Sequence, residues 1–336
     1  MIRLRVNERA LALLVAGGIL VSSSVAAHKL VKKEVYAGST TQEEYIVDSN
    51  IDPIDESENV IELKSITMVP EEETESEVLS PFEEQLNYQY IPAVEATTGV
   101  NVRTGPSTEY DVIGGLTEGT KMPLINKYSE WSKIDYFGRE AYVCNDYIKD
   151  TKMITGTPEK LVYCNQDTVL TDENKMNHDL FKYEVCPVYK EYPDGYLVSA
   201  NDILGIIPKS CATELTGAYA IVDISNQIVE IYRDNELILR TPCVTGKDAS
   251  PTTIGCHTIH SEKHHDYLEG PGYRSYVDHF LAFHNGEGLH DASWRQIFGT
   301  SGYHESGSHG CVNLPQDIIE EVNNTLDTGD TVIVKH

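Results

Sequence analysis

Basic residues are scarce in this chain of 336 residues, with 26 Lys and Arg against 53 Asp and Glu and a formal net charge of -27. Such a charge repels phosphate backbones, and no basic stripe with interleaved aromatics offsets it, so nucleic acid is excluded as a partner. The Cys-x-x-Cys spacing is also missing. The seven cysteines, Cys144, Cys164, Cys186, Cys211, Cys243, Cys256 and Cys311, therefore support neither a zinc ribbon nor a thioredoxin-type redox pair. Long apolar runs are absent except for one charge-free stretch, Ala10 to Ala27, preceded by Arg3, Arg5 and Arg9.

That single run has about the minimum length needed to span hydrocarbon, and the arginines ahead of it should stay cytoplasmic. Residues 1–28 are therefore expected to be a membrane anchor that places the rest of the chain outside the cytoplasm. A cleaved signal peptide is the alternative, since Val25 and Ala27 suit its small-residue rule. Residues 29–93 follow as an acidic linker. Between Glu34 and Glu95 stand seventeen acidic residues, and so little apolar surface predicts an extended, disordered tether.

Short alternating strands cut by Gly and Pro turns begin near residue 94. "NVRTGPST", "EGT", "EWSKI" and "GREAYVCNDYI" resemble the opening strand, central turn, Trp-bearing strand and closing strand of a bacterial SH3-type domain over residues 94–152. The resemblance implies binding of wall peptides or a spacer role. From the residues alone, Trp131 and Tyr142 can equally be core packing. Residues 158–214 read as a degenerate second copy without the "NVRTGPST" equivalent.

From residue 217 to 336 a larger, mainly β domain is expected. "YAIVDIS" and "QIVEIYRD" read as strands flanking Asn226, "ELILRTPCVTG" as a third, and "GDTVIVKH" as the closing strand. In "PQDIIEEVNNTL" the apolar positions Ile318, Ile319, Val322 and Leu326 recur at helical spacing after Pro315.

The chemistry centres on "GSHGCVNL". Read as an extended segment, it sets His309, Cys311 and Asn313 on one face, with Val312 and Leu314 toward the core. Gly310 leaves room for a carbonyl to approach backbone N–H groups. Neighbouring imidazoles commonly lower a cysteine pKa, so Cys311 is expected to be the fastest thiol to alkylate. His290, 21 residues before Cys311, suits an adjacent strand. A buried, unreactive Cys311 and a core His290 fit the residues equally well.

"GLHDASW", "GSHGCVNLP" and the upstream "VTGKDASPTTIGCHTI" resemble the L,D-transpeptidase family with its YkuD-type catalytic domain. The resemblance implies Cys311 as nucleophile, His290 as general base, the backbone carbonyl of Asp291 as its orienting group, and His309 as a second histidine beside the thiolate. It implies Ser308, Gly310 and Asn313 as the donor site. Peptidoglycan stem peptides would be donor and acceptor, joined by 3-3 cross-links through a thioester, with no cofactor and with carbapenems as covalent inhibitors. L,D-carboxypeptidase activity and non-catalytic wall binding are the alternatives. One departure from the family pattern is Thr252-Thr253-Ile254-Gly255, with the proline displaced to Pro251. "CHTIHSEKHH", residues 256 to 265, carries one Cys and four His and raises a metal site as a further alternative. Cys243 and Cys256, either side of "VTGKDASPTTIG", are expected on neighbouring strands within reach of a disulfide.

Overall fold

The computed structural model describes residues 87–270 and 272–336, together with the backbone of 30–37 and 40–47. The membrane anchor expected in residues 1–28 lies outside the described residues, as does most of the linker. No helix among the described residues is long and apolar enough to cross a membrane. Within the stretch read as a tether, Leu30–Ala37 and Thr40–Val47 pair as an antiparallel hairpin.

Residues from Tyr88 onward build two seven-stranded sheets, a five-stranded sheet and a four-stranded sheet. The first strand is Tyr88–Ala96, which starts six residues before 94. Its sheet runs, in spatial order, Val112–Leu116, Val100–Arg103, Arg139–Cys144, Trp131–Tyr136, Lys121–Lys127, Tyr88–Ala96, Ile148–Gly156. The second runs Asn177–Leu180, Thr168–Asp172, Ile203–Pro208, Gly195–Ala200, Val185–Glu191, Lys160–Cys164, Ala212–Glu214. Numbered within each set, the two orders are identical, and each set has a 3₁₀ turn before its last strand, Asn145–Tyr147 and Lys209–Cys211. The second region is thus a structural repeat of the first.

Alternation explains the strands. Trp131–Tyr136 alternates half-buried and buried positions, so Ser132, Ile134 and Tyr136 point inward. The first core gathers Val94, Val102, Leu116, Met122, Ile134 and Val143, and it also takes in Ile228 from beyond the second repeat. Trp131 and Tyr142 are absent from this core and lie half-exposed, with Tyr128 stacked on Tyr142 at 6.5 Å. Of the two readings open for them, core packing is the one their register on the outward face does not support.

In the C-terminal region the five-stranded sheet runs Glu236–Pro242, Ile228–Arg233, Ala218–Asp223, Thr331–Lys335, Gly255–Thr258. The closing strand pairs parallel to Ala218–Asp223. The four-stranded sheet runs Ser261–Gly270, Tyr273–His284, Glu287–Asp291, Val312–Leu314. Ala220, Val229, Ile231, Leu281, Leu289 and Val312 from both sheets share one core with Ile319, Val322 and Leu326. The expected helix forms over Ile319–Thr325, after a 3₁₀ turn at Gln316–Ile318.

The strand order overturns one pairing. Cys243 follows one edge strand and Cys256 sits on the opposite edge strand, with three strands between. At about 4.8 Å per strand those edges are about 19 Å apart, beyond the reach of a disulfide. Both thiols are free, Cys243 buried and Cys256 exposed.

Candidate active site

Two parallel strands carry the site. Leu289 faces Val312, His290 faces Asn313 and Asp291 faces Leu314, while Val244 bridges Asn313 from the other side. Leu289, Val312 and Leu314 are fully buried, which fixes the register. Cys311 precedes its strand and sits diagonally from His290.

His290 is 3% exposed. Its Nδ1 lies 2.7 Å from the backbone carbonyl oxygen of Asp291. An N–H donated there leaves Nε2 as the lone-pair nitrogen, the form a general base requires. Burial, with a smaller push from the Arg295 charge, lowers the pKa of His290 to about 4, against the bond to Asp291. The imidazole is therefore neutral at pH 7.

Asp291 does more than offer its carbonyl. Its Oδ1 accepts the backbone N–H groups of Asp278 and His279 at 2.8 and 3.1 Å, tying the His290 strand to Tyr273–His284. Its Oδ2 and the Oδ1 of Asn313 are buried without a partner. Burial raises the Asp291 pKa.

The Cys311 thiol is half-buried and points toward the Gly286 carbonyl oxygen at 3.7 Å. Burial, with the nearby Glu287 charge, raises its pKa to about 11. This corrects the expectation of a thiolate lowered by imidazoles: the resting thiol is protonated. Among the described residues no hydrogen bond joins it to His290 or His309.

The alternation expected along "SHGCVN" does not extend to His309. Gly310 has φ 115°, a conformation that L side chains rarely adopt, and it turns the backbone. His309 is exposed, its ring stacked on Tyr273 at 5.2 Å and 9°, with Lys247 Nζ donating to Nε2 at 3.4 Å. Ser308 braces the turn. Its Oγ accepts the Gly310 N–H at 3.1 Å and donates to the Cys311 carbonyl at 2.5 Å.

Sequence reading missed several supports. Thr252 Oγ1 accepts the Gly246 N–H at 2.9 Å and donates to the Gly310 carbonyl at 2.8 Å. Glu287 accepts from the N–H and hydroxyl of Thr253 at 2.9 and 2.8 Å. The two threonines of the departing "PTTIG" stretch therefore hold the cysteine turn and its neighbouring hairpin. Buried Gln227 bonds both the N–H and the hydroxyl of Thr245, whose carbonyl accepts the Ser308 N–H.

The histidine-rich tract spreads along two strands. His257 Nε2 lies 2.8 Å from the Thr253 carbonyl, and His264 contacts His279, which reaches Glu320. Among the described residues no group of three or more His, Cys, Asp or Glu converges to hold a metal.

A mixed β fold thus sets a buried histidine, oriented by a backbone carbonyl, on one of two adjacent parallel strands and a half-buried cysteine just before the other. Residues 217–334 match the family model of the L,D-transpeptidase catalytic domain, YkuD, and residues 98–149 match that of the bacterial SH3 domain. The chain thus carries both domains.

The chain is also similar to the putative N-acetylmuramoyl-L-alanine amidase YrvJ of Bacillus subtilis (strain 168), at 37% identity over 49 residues. That stretch is 15% of this chain and 10% of the relative, so the chain spans about a tenth of that protein's length. Similar solved structures include the catalytic domain of the E. faecium L,D-transpeptidase, at 29% identity, covering 36% of this chain and 98% of that one with a TM-score of 0.34. The L,D-transpeptidase of Stackebrandtia nassauensis is 29% identical, with 36% and 56% covered and a TM-score of 0.31. One from Mycobacterium tuberculosis H37Rv is 20% identical, with 54% and 81% covered and a TM-score of 0.33.

Proposed function

We propose that the protein is a peptidoglycan L,D-transpeptidase that forms 3-3 cross-links at the cell envelope through a Cys311 thioester. The observation that carries this reading is a neutral His290, its tautomer set by the Asp291 carbonyl, on the strand next to the one that Cys311 precedes, inside a region matching the L,D-transpeptidase catalytic domain.

Cys311 attacks the carbonyl that joins the third stem residue to its terminal D-alanine. Because thiol and imidazole are both neutral at rest, His290 Nε2 takes the thiol proton as the S–C bond forms. The same proton goes to the departing D-alanine amine. An amine of a second stem then attacks the thioester, His290 accepts its proton, and the thiol is restored. Ser308 and Gly310 shape the turn that presents backbone N–H groups to the oxyanion. Asn313 contributes a buried amide beside His290, and His309 with Tyr273 forms the outer wall of the donor site.

The half-exposed aromatics Tyr128, Trp131 and Tyr142 support wall-peptide binding by the SH3 region. Membrane attachment through residues 1–28 belongs to the same reading.

Incubating the protein and its Cys311→Ala form with disaccharide-tetrapeptide tests the proposal by product mass. Cross-linked dimers with free D-alanine, absent in Cys311→Ala, are expected. Trimmed tripeptides alone would instead make the protein an L,D-carboxypeptidase, and unchanged substrate would make it a binding protein.

A further inference from the structure

A cavity of about 790 Å³ opens between the first SH3 repeat and the catalytic region. Neither Cys311 nor His290 lines it. Its walls include Phe137 and Arg139 from one side, and Arg240, Arg295, Gln296 and Phe298 from the other. The volume falls within the range of small-ligand sites, which combine apolar walls with a few placed polar groups.

Charge sets this cleft apart in a strongly acidic chain. Arg139 faces Asp317 at 3.7 Å, and Arg240 Nε lies 3.1 Å from Glu230. Arg295 has no carboxylate partner among the described residues. One nitrogen donates to the Ser306 carbonyl at 2.7 Å, and its Nε is buried with no partner. Three guanidinium groups thus meet two carboxylates, which leaves one positive charge uncompensated. A half-buried guanidinium in that state keeps its remaining N–H groups and its charge for an anion such as a carboxylate in the cleft.

A second observation is backbone strain. The hairpin between Trp131–Tyr136 and Arg139–Cys144 turns on two residues with positive φ, Phe137 at 54° and Gly138 at 79°. Gly, Asn or Asp is the usual occupant of the first position, where an aromatic is strained. The strained residue puts its ring 5.5 Å under the Arg240 guanidinium, at the cavity wall.

The geometry points to a second binding site in this cleft, for a short peptide with a free terminal carboxylate, held at Arg295 with its small apolar side chains against Phe137 and Phe298. One uncompensated charge fits a single carboxylate better than a dianionic phosphate. Gln296 and Gln316 at the walls can pair with peptide amides. The choice of a wall peptide rests on the proposed function. The carboxylate site itself does not.

The test uses a stem tetrapeptide with a free C-terminal carboxylate, and the same peptide as its C-terminal amide, titrated calorimetrically into Cys311→Ala protein. Hydrogen exchange follows the hairpin amides of residues 136–139. Binding of the acid should protect these amides, and Arg295→Gln should weaken that binding at least tenfold. The amide should bind at least tenfold more weakly as well. Arg139→Ala, at a side chain 74% exposed and so without consequence for folding, should weaken binding in the same direction. Unprotected hairpin amides, or equal affinities for acid and amide, would overturn the site. Arg295-dependent binding by a protein whose wild type makes no cross-links would uphold the cleft and reject the transpeptidase reading.

Discussion

At the scale of single residues, burial holds both His290 and Cys311 in their uncharged forms. His290→Ala should lower turnover by at least ~10²-fold with the fold retained, as circular dichroism would show. The acidic limb of kcat/KM should fall near pH 4, where His290 protonates, and a limb near pH 6.5 would contradict its burial. Stability is linked to the same group. The unfolded imidazole binds its proton as pH drops through 6.5, whereas the folded one waits until about 4, so this contribution is lost as pH falls across that window and is level below it. The loss totals about 3 kcal/mol. Denaturant midpoints of wild type and His290→Gln between pH 4 and pH 7 should therefore converge toward the acid end. Alkylation of Cys311 should climb about tenfold per pH unit from 7 to 10 without a plateau, since only the thiolate reacts. Exposed Cys256 should label before it at neutral pH. A plateau at Cys311 between pH 7 and 8 would mean that a thiolate–imidazolium pair exists at rest.

At the scale of elements, the cysteine turn is the most constrained feature. A Cβ on Gly310 would come within 3.1 Å of the Glu287 side chain, on a backbone already at φ 115°. Gly310→Ala is expected to cost about 1–3 kcal/mol and to lose more activity than stability, because the strain falls on the residue before Cys311, the proposed nucleophile. Paired urea melts and turnover measurements check this. The elements legible in the sequence are those with marked apolar burial: Ala218–Asp223 and Thr331–Lys335, buried on both faces and so read as continuous apolar runs, Ile228–Arg233, and the Ile319–Thr325 helix with its one buried stripe. Ser261–Gly270 was illegible as a strand because neither of its faces is deeply buried, so it shows no apolar alternation and its histidines read as a tract. Cys243 and Cys256 misled for another reason. Closeness in sequence suggests neighbouring strands, whereas Ile228–Arg233, Ala218–Asp223 and the closing strand lie between them, the last two joined by a parallel pairing that no local pattern announces. Thr252, Thr253 and Glu287 stood in view, but their roles depend on loops meeting across the site.

At the scale of the whole described region from residue 87, the domains are joined by buried contacts. Lys335 Nζ lies 3.0 Å from both Glu184, in the second repeat, and Asp223, in the catalytic region, with its side chain only 15% exposed. The two carboxylates hold its pKa above the usual lysine range against the effect of burial. Lys335→Met would leave those carboxylates unpaired, and the expected loss is about 3–5 kcal/mol, read as a lower urea midpoint. The first repeat is joined just as closely: the Thr117 hydroxyl donates to the Ser225 carbonyl at 2.6 Å, and Ile228 of the catalytic sheet completes the core of the SH3 barrel. Because Ile228 belongs to both bodies at once, a pivot of one on the other would open the barrel core. A ligand gripped by the barrel would then be held at one span and one bearing from Cys311, as in a caliper with a locked jaw and not at the end of a leash.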